Sequence, residues 1–118
     1  MKKELERDSK ALATFAADIA LGKKAKDIKI FNVKSTTPIA DYFVLASCES
    51  GPQLKATMTS IVEEAKKGRK RVRSEGMIDS GWVIIDLGSV VVHLMNEELR
   101  DYYNLDELWG KASIVYHM

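Results

Sequence analysis

The segment from Trp82 to Met95 places the strongest constraint on the fold of this chain. It contains two strand-like runs, Trp82–Asp86 and Val90–Met95, joined by a turn around Gly88. Both runs are apolar on both of their faces, whereas a strand with one face in water alternates apolar and polar residues. The sequence therefore predicts a β-hairpin that is covered on both sides, either by helices of this chain or by a partner.

The other segments predict one α/β domain with a mixed sheet of about five strands. Periodic apolar residues predict two long helices, which is enough to cover one face of such a sheet. Asn96 can cap a third, short helix, and the tail after Gly110 is expected to be loosely held. The remaining predicted elements are a helix at Ser9–Leu21 with Leu12, Phe15, Ala16 and Ile19 inward, strands at Ile28–Val33 and Tyr42–Cys48, a helix from a Ser50–Gln53 capping box to about Lys67 with Leu54, Met58, Ile61, Val62 and Ala65 inward, and a short strand at Arg71–Arg73 that would complete a strand–helix–strand unit.

Length and composition limit the class of protein. A chain of 118 residues fits one domain over residues 1–118, with a core of about 9–110. The net charge of +1 gives no general attraction to nucleic acid or membrane, and no run is apolar enough to span a bilayer. The single Cys48 cannot form an internal disulfide. These features predict a soluble, cytoplasmic protein.

No catalytic, cofactor or metal motif is present in the sequence. Phosphate-binding and dinucleotide-binding glycine patterns are missing, and neither His93 nor His117 pairs with a cysteine at metal-ligand spacing. Asp79, Asp86 and Asp106 have no spacing that indicates a metal site. The chain is therefore predicted not to be an enzyme and to need no cofactor.

The hairpin offers a candidate binding face. A two-residue turn at Leu87-Gly88 would pair Trp82 with His93, whereas a three-residue turn would shift the pairing by one and change the faces. Trp82 can be a core residue or an interface anchor, and His93 can be a strand histidine with a partner or a contact residue. With the two-residue turn, one face would carry an aromatic and methionine-containing set that is typical of protein interfaces: Trp82, Ile84, Asp86, Val91, His93 and Met95.

A basic run follows the second predicted helix. It has six basic residues in eight positions: Lys66, Lys67, Arg69, Lys70, Arg71 and Arg73. Such a run can bind RNA phosphates, or it can be a solvated helix end that interacts with the helix dipole. Since no aromatic residue interrupts the run, stacking of single-stranded bases is disfavoured.

Several motifs together resemble the ribosomal silencing factor family, also called RsfS or Iojap-like proteins. The motifs are KAKDIKIFNV, IADYFVLAS, EGMIDSGWVIIDLGSVVVHLM and EELRDYYNLDELWG, and they span about Leu12 to Gly110. The chain departs from the family pattern at Ser89, where an acidic residue is usual, and at Glu49–Pro52. Its basic run is also denser than expected.

The resemblance implies a translation repressor with a nucleotidyltransferase-like core. Family members are expected to bind the large ribosomal subunit through ribosomal protein fourteen (uL14-type) and to block joining of the small subunit when nutrients are short. Carried over by motif, the implied protein contacts are Trp82, Asp86, Leu87, His93, Met95 and Tyr42. The basic run would add a peripheral contact with ribosomal RNA, and a bare sheet face could also support a homodimer. The rival interpretations are a small nucleotidyltransferase and an RNA-binding ribosome-assembly module that uses Lys66–Arg73.

Overall fold

The computed structural model describes residues 9–68 and 72–109, together with the backbone of residues 113–117. These residues form helices packed on one mixed sheet. In chain order the elements are α1 (Ser9–Gly22), β1 (Lys26–Asn32), β2 (Tyr42–Ser47), α2 (Gly51–Gly68), β3 (Arg73–Met77), a 3-10 turn (Ile78–Ser80), β4 (Trp82–Asp86), β5 (Val90–Met95), α3 (Glu97–Tyr103), α4 (Leu105–Leu108) and β6 (Ser113–His117).

The sheet confirms the predicted mixed α/β architecture and has six strands in the order β3-β4-β5-β2-β1-β6. β2 and β5 pair in parallel at its centre, and every other neighbouring pair is antiparallel. All six residues of β2 are buried, as its continuous apolar run predicts. The predicted strand after α2 lies farther along the chain, at Arg73–Met77. It runs parallel to β2, with β4 and β5 between them.

The sixth strand corrects the prediction of a loosely held tail. The backbone of β6 pairs with β1, from Asn32–Ser113 to Lys29–His117. The chain therefore returns to the sheet edge formed by its first strand. The local sequence SIVYH contains β-branched and aromatic residues that favour a strand, and the prediction of a tail overlooked this signal.

Helix α1 packs through a different face from the one predicted. The buried stripe is made of alanines 13, 16, 17 and 20, whereas Leu12, Phe15 and Ile19 are half-buried at its side. Both sets follow the same helical spacing and differ by one residue, about 100° of rotation. The small side chains let the helix approach the sheet closely, and the larger ones fill the flanks of the contact.

Helix α2 begins and packs nearly as predicted. The Gln53 backbone N–H donates to the Ser50 Oγ, and the Glu49 backbone N–H donates to the Gln53 side chain, so the capping box is formed. Leu54, Ile61 and Ala65 are buried, and Met58 and Val62 are partly buried. Thr57 is also buried, because its hydroxyl donates to the Gln53 carbonyl within the helix.

The face of the sheet opposite α1 and α2 is covered only in part, by the short helices α3 and α4. Leu105 and Leu99 attach these helices through apolar packing, and a polar network adds to it. Arg100, which is 4% exposed, forms two hydrogen bonds with Asp106 at 3.0 and 2.9 Å. Arg100 also donates to the Ser47 Oγ at 2.9 Å and lies 3.2 Å from Asp27. Lys29 donates to Asp106 at 2.8 Å. This network fixes the two helices over β1 and β2 and leaves the β3–β4 end of the face open.

Candidate protein-interaction surface

The hairpin turns at Gly88-Ser89, one residue later than predicted. Gly88 has a φ of 90°, which a glycine adopts without strain, and Leu87 donates its N–H to the Val90 carbonyl at 2.8 Å. Each cross-strand partner of β4 therefore moves by two residues, so that Trp82 pairs with Met95 instead of His93. Because side chains alternate with a period of two, this shift leaves the composition of each face unchanged.

Trp82 and His93 are joined diagonally across that face. The Trp82 indole Nε1–H donates to the His93 Nδ1 at 3.2 Å, which requires an imidazole without a proton on Nδ1. His93 is 8% exposed and lies against Phe43 and Trp109, with ring centroids 5.8 and 5.1 Å away. Burial lowers the pKa of His93 to about 4, so the ring is neutral at pH 7. His93 is thus a support for Trp82 and has little surface of its own.

The aromatic contacts continue from the sheet onto α3. Trp82 lies 5.1 Å from Tyr103 between ring centroids, and Tyr103 meets Tyr102 edge-on at 5.1 Å. Tyr102 is 80% exposed and Tyr103 is 51% exposed. Farther inward, Trp109 packs on Phe43 at 4.3 Å. The result is a continuous aromatic layer that is buried at one end and exposed at the other.

A groove of about 360 Å³ opens where Trp82 meets α3. We call it the Trp82 groove. Trp82 and Ile84 are half-buried, so both retain accessible surface. Met77, which is opposite Trp82 in the β3–β4 pair, is 68% exposed beside it. The groove is lined by Glu75, Gly76, Ser80, Trp82, Ile84, Leu99 and Tyr103.

Three further predicted contact residues are buried in the core, in addition to His93. Leu87 and Met95 have no exposed area, so neither has accessible surface with which to contact a partner in this conformation. Met95 packs under the aromatic layer, and Leu87 belongs to the core beneath α1 and α2. Tyr42 also belongs to the core beneath α1 and α2 and is 5% exposed. The Lys34 Nζ lies 5.3 Å from its ring centroid. The motif singled out these positions, but their burial gives them a packing role.

Asp86 lies opposite Arg73 in the β3–β4 pair, at the end of the hairpin away from Trp82. Asp86 is exposed, and its carboxylate accepts the Gly88 N–H at 2.8 Å, which stabilises the turn. Lys66, Lys67 and Arg73 are exposed. Arg69, Lys70 and Arg71 lie outside the described residues, so their part of the predicted patch has no described structure.

Sequence reasoning missed the contribution of α3 to this surface. Tyr102 and Tyr103 stand in a helix whose own pattern does not reveal which side faces the sheet. The available signal was two adjacent tyrosines in a short helix that also contains the acidic Glu98 and Asp101, an unusual place for large aromatic side chains. Tyr103 completes the groove by its contact with Trp82.

The described residues offer little for catalysis. Among them, no group of three or more His, Cys, Asp or Glu side chains is arranged to hold a metal ion. Cys48 is buried, and burial raises the pKa of its thiol, which disfavours the reactive thiolate. Within the same part of the chain, no helix is long and apolar enough to cross a membrane.

Comparison with known proteins places this fold and sequence in a family. The sequence model described as "Ribosomal silencing factor during starvation" matches residues 6–117. This chain belongs to that family. The family description is one of translation regulation at the ribosome.

Individual family members match over most of their length. The chain is 34% identical to ribosomal silencing factor RsfS of Bacillus subtilis, covering 92% of each protein. It is 37% identical to RsfS of Halalkalibacterium halodurans, covering 88% of this chain and 90% of that one. An X-ray structure of a Chromobacterium violaceum protein superposes with a TM-score of 0.81 at 31% identity, covering 91% of this chain and 92% of that one.

Proposed function

We propose that this protein represses translation by binding the large ribosomal subunit through a ribosomal protein at the intersubunit face, the uL14-type protein fourteen, and by sterically preventing the small subunit from joining. The protein would act in the cytoplasm, when nutrients are limiting. Its family membership supports the general function, and the mechanism needs no chemistry.

The observation that carries the proposal is the partly exposed Trp82 groove. The Trp82 indole N–H already donates to His93, so Trp82 presents an apolar ring without an unpaired donor. Tyr102, Tyr103 and Met77 extend the exposed apolar area around it. Aromatic and methionine side chains of this kind are enriched at the centres of protein interfaces.

The charge around the surface favours a protein partner over RNA. Glu75 lines the groove, and Glu98 and Asp101 are exposed on α3 next to the tyrosines. None of these three carboxylates belongs to an ion pair among the described residues. Carboxylates would repel the phosphates of an RNA that stacked its bases here.

Co-sedimentation tests the proposal with three preparations: isolated large subunits, large plus small subunits, and preformed complete ribosomes. The protein should pellet with large subunits and reduce formation of complete ribosomes, and it should bind preformed ribosomes poorly. Loss of an aromatic anchor typically costs about 2 kcal/mol, roughly thirty-fold in affinity, so Trp82→Ala should weaken binding by that order.

The matched control is Leu21→Ala, which removes an exposed apolar side chain from α1 on the other side of the sheet. Thermal melts of both variants separate binding from folding, because Trp82 is half-buried and also contributes to stability. If Trp82→Ala melts far lower but its folded fraction binds large subunits normally, Trp82 is a core residue and the interface lies elsewhere.

The alternative function is an RNA-binding module for ribosome assembly. It is favoured by the exposed Lys66, Lys67 and Arg73, which lie in the basic run. Under our proposal this run is auxiliary, so replacing Arg69, Lys70 and Arg71 with Gln should weaken binding modestly and flatten its salt dependence. Complete loss of ribosome binding in that variant, with Trp82→Ala unaffected, would favour the RNA-binding function.

The proposal includes the absence of nucleotidyl transfer. Such transfer requires carboxylates that hold Mg²⁺, and the hairpin strands β4 and β5 contain a single carboxylate, Asp86. Incubation with labelled nucleoside triphosphates and Mg²⁺ or Mn²⁺ should therefore label nothing. Turnover that disappears in a folded Asp86→Ala variant would contradict a purely steric function.

A further inference from the structure

The Trp82 groove combines two flat apolar surfaces with one negative charge. Trp82 and Tyr103 lie 5.1 Å apart between ring centroids, with their planes tilted by 47°. Glu75 is exposed and is the one carboxylate among the described residues of the lining, which include no lysine, arginine or histidine. A volume of about 360 Å³ is at the small end of the range for ligand sites, which suits one inserted side chain better than a cofactor.

Glu75 has no cation of its own. It forms no ion pair with any described residue. Arg73, on the same face of β3, lies two residues away and opposite Asp86. Glu75 itself lies opposite Ile84, so its carboxylate borders apolar surface. A carboxylate in this setting is kept in water while the groove is empty and would be desolvated when the groove is filled.

Two of the other polar side chains of the groove are already occupied, which leaves the Tyr103 hydroxyl. The Trp82 Nε1–H donates to His93, and the Ser80 hydroxyl donates to the Met77 carbonyl at 2.6 Å. A neutral hydrogen-bonding ligand would therefore find few free partners. A cation with an aliphatic stem fits better, because the stem can lie on Ile84 and Leu99 while the charge reaches Glu75.

We infer that the Trp82 groove receives an arginine side chain of the protein partner, with its guanidinium stacked on Trp82 or Tyr103 and paired with Glu75. Arginine is favoured over lysine because its planar group stacks on aromatic rings and can form two parallel hydrogen bonds with a carboxylate. This inference rests on the proposed function for the identity of the partner, but the site itself can be tested without ribosomes.

The first test uses the whole protein and a small probe. N-acetyl-arginine methylamide is titrated against the protein, and the indole N–H signal of Trp82, assigned with Trp82→Phe, is followed by NMR. The citrulline analogue has nearly the same shape without the charge. The arginine probe should shift the Trp82 signal saturably and bind about fivefold tighter than citrulline, equivalent to about 1 kcal/mol.

Glu75→Gln removes the charge and keeps the size of the side chain. In this variant most of the preference for the arginine probe should be lost, and only the part that comes from stacking of the cation on the aromatic rings should remain. The matched control is Glu63→Gln on α2, another exposed glutamate without an ion pair, and it should leave the fivefold preference unchanged. Equal binding of both probes to the unmodified protein, or no shift of Trp82 with either, would overturn the inference.

The second test measures affinity for large subunits at several salt concentrations. Glu75→Gln should bind about fivefold more weakly than the unmodified protein at low salt and should depend less on salt. Tighter binding of Glu75→Gln would indicate that the groove faces phosphate, which also overturns the inference. If Trp82→Ala weakens binding and Glu75→Gln does not, the arginine site is wrong and the proposed interface stands. If the unmodified protein does not bind large subunits, the proposed function fails, and the probe titration still decides the site.

Discussion

Protonation of His93 should make the stability of this protein depend on pH. The ring is buried, and its Nδ1 accepts the Trp82 indole N–H at 3.2 Å. Burial lowers the pKa of His93 to about 4, against about 6.5 in an unfolded chain. Between these values the unfolded state binds a proton that the folded state does not, so the free energy of unfolding falls as the pH falls.

The size of the effect follows from the two pKa values. Relative to pH 8, the His93 contribution should lower the free energy of unfolding by roughly 1.4 kcal/mol at pH 5.5 and by about 2.5 kcal/mol at pH 4.5. Asp106 does not obscure this window. Burial raises its pKa, but hydrogen bonds from Arg100 and Lys29 outweigh that effect and lower the pKa to about 2, so its contribution is lost mainly below pH 4.

Urea unfolding followed by circular dichroism at pH 8, 5.5 and 4.5 measures this loss. His93→Gln is the test variant, since an amide oxygen can still accept the Trp82 N–H but does not titrate. The difference in pH dependence between the unmodified protein and His93→Gln isolates the histidine from the exposed carboxylates. His117→Gln, which changes the other histidine, is the control. Parallel loss of stability in the unmodified protein and His93→Gln, or a His93 NMR titration near pH 6.5, would refute the reasoning.

Three substitutions probe other parts of the structure. Met95→Glu should unfold the protein instead of acting at the interface, because Met95 has no exposed area and an unpaired charge there costs several kcal/mol; a melting temperature within a few degrees of the unmodified protein would contradict this. Arg100→Met should cost about 3–5 kcal/mol, since it leaves Asp106 half-paired in a buried network, and urea unfolding will measure the loss. Gly76→Ala should loosen β3, because Gly76 has a φ of 96° and an added Cβ would lie 2.4 Å from the Trp82 carbonyl oxygen; hydrogen exchange should be faster in β3, with α1 amides as the internal control.

The fold was predictable where local signals and burial agree. The Ser50–Gln53 capping box and the continuous apolar run of β2 gave the correct element at nearly the correct position. The Asn96 cap is also confirmed, by its acceptance of the Leu99 N–H at 2.8 Å. The buried face of α1 was predicted wrongly because two stripes share one spacing, and only packing distance favours the alanines.

The interaction surface was predictable only as far as the alternation of side chains along the strands determines it. Alternation in β4 and β5 assigns Trp82 and His93 to one face even though the pairing was shifted by two residues. The alternation of side chains along a strand does not predict how much of that face is covered by other parts of the chain. Met95 and His93 are covered by the aromatic layer, whereas Tyr103 enters the groove from a helix that the strand pattern does not include.

The pairing of β6 with β1 has a consequence for synthesis of the chain. The first strand of the sheet receives one of its two neighbours from the last described residues, and α3 and α4 are anchored to β1 through the Lys29–Asp106 ion pair. Parallel pairing of β2 with β5 likewise waits for residues 90–95. Contacts this distant in sequence form late and cannot stabilise an emerging fragment. A nascent chain stopped before residue 90 would hold an incomplete sheet, so this domain completes its fold only after residues 113–117 have left the ribosome that made them.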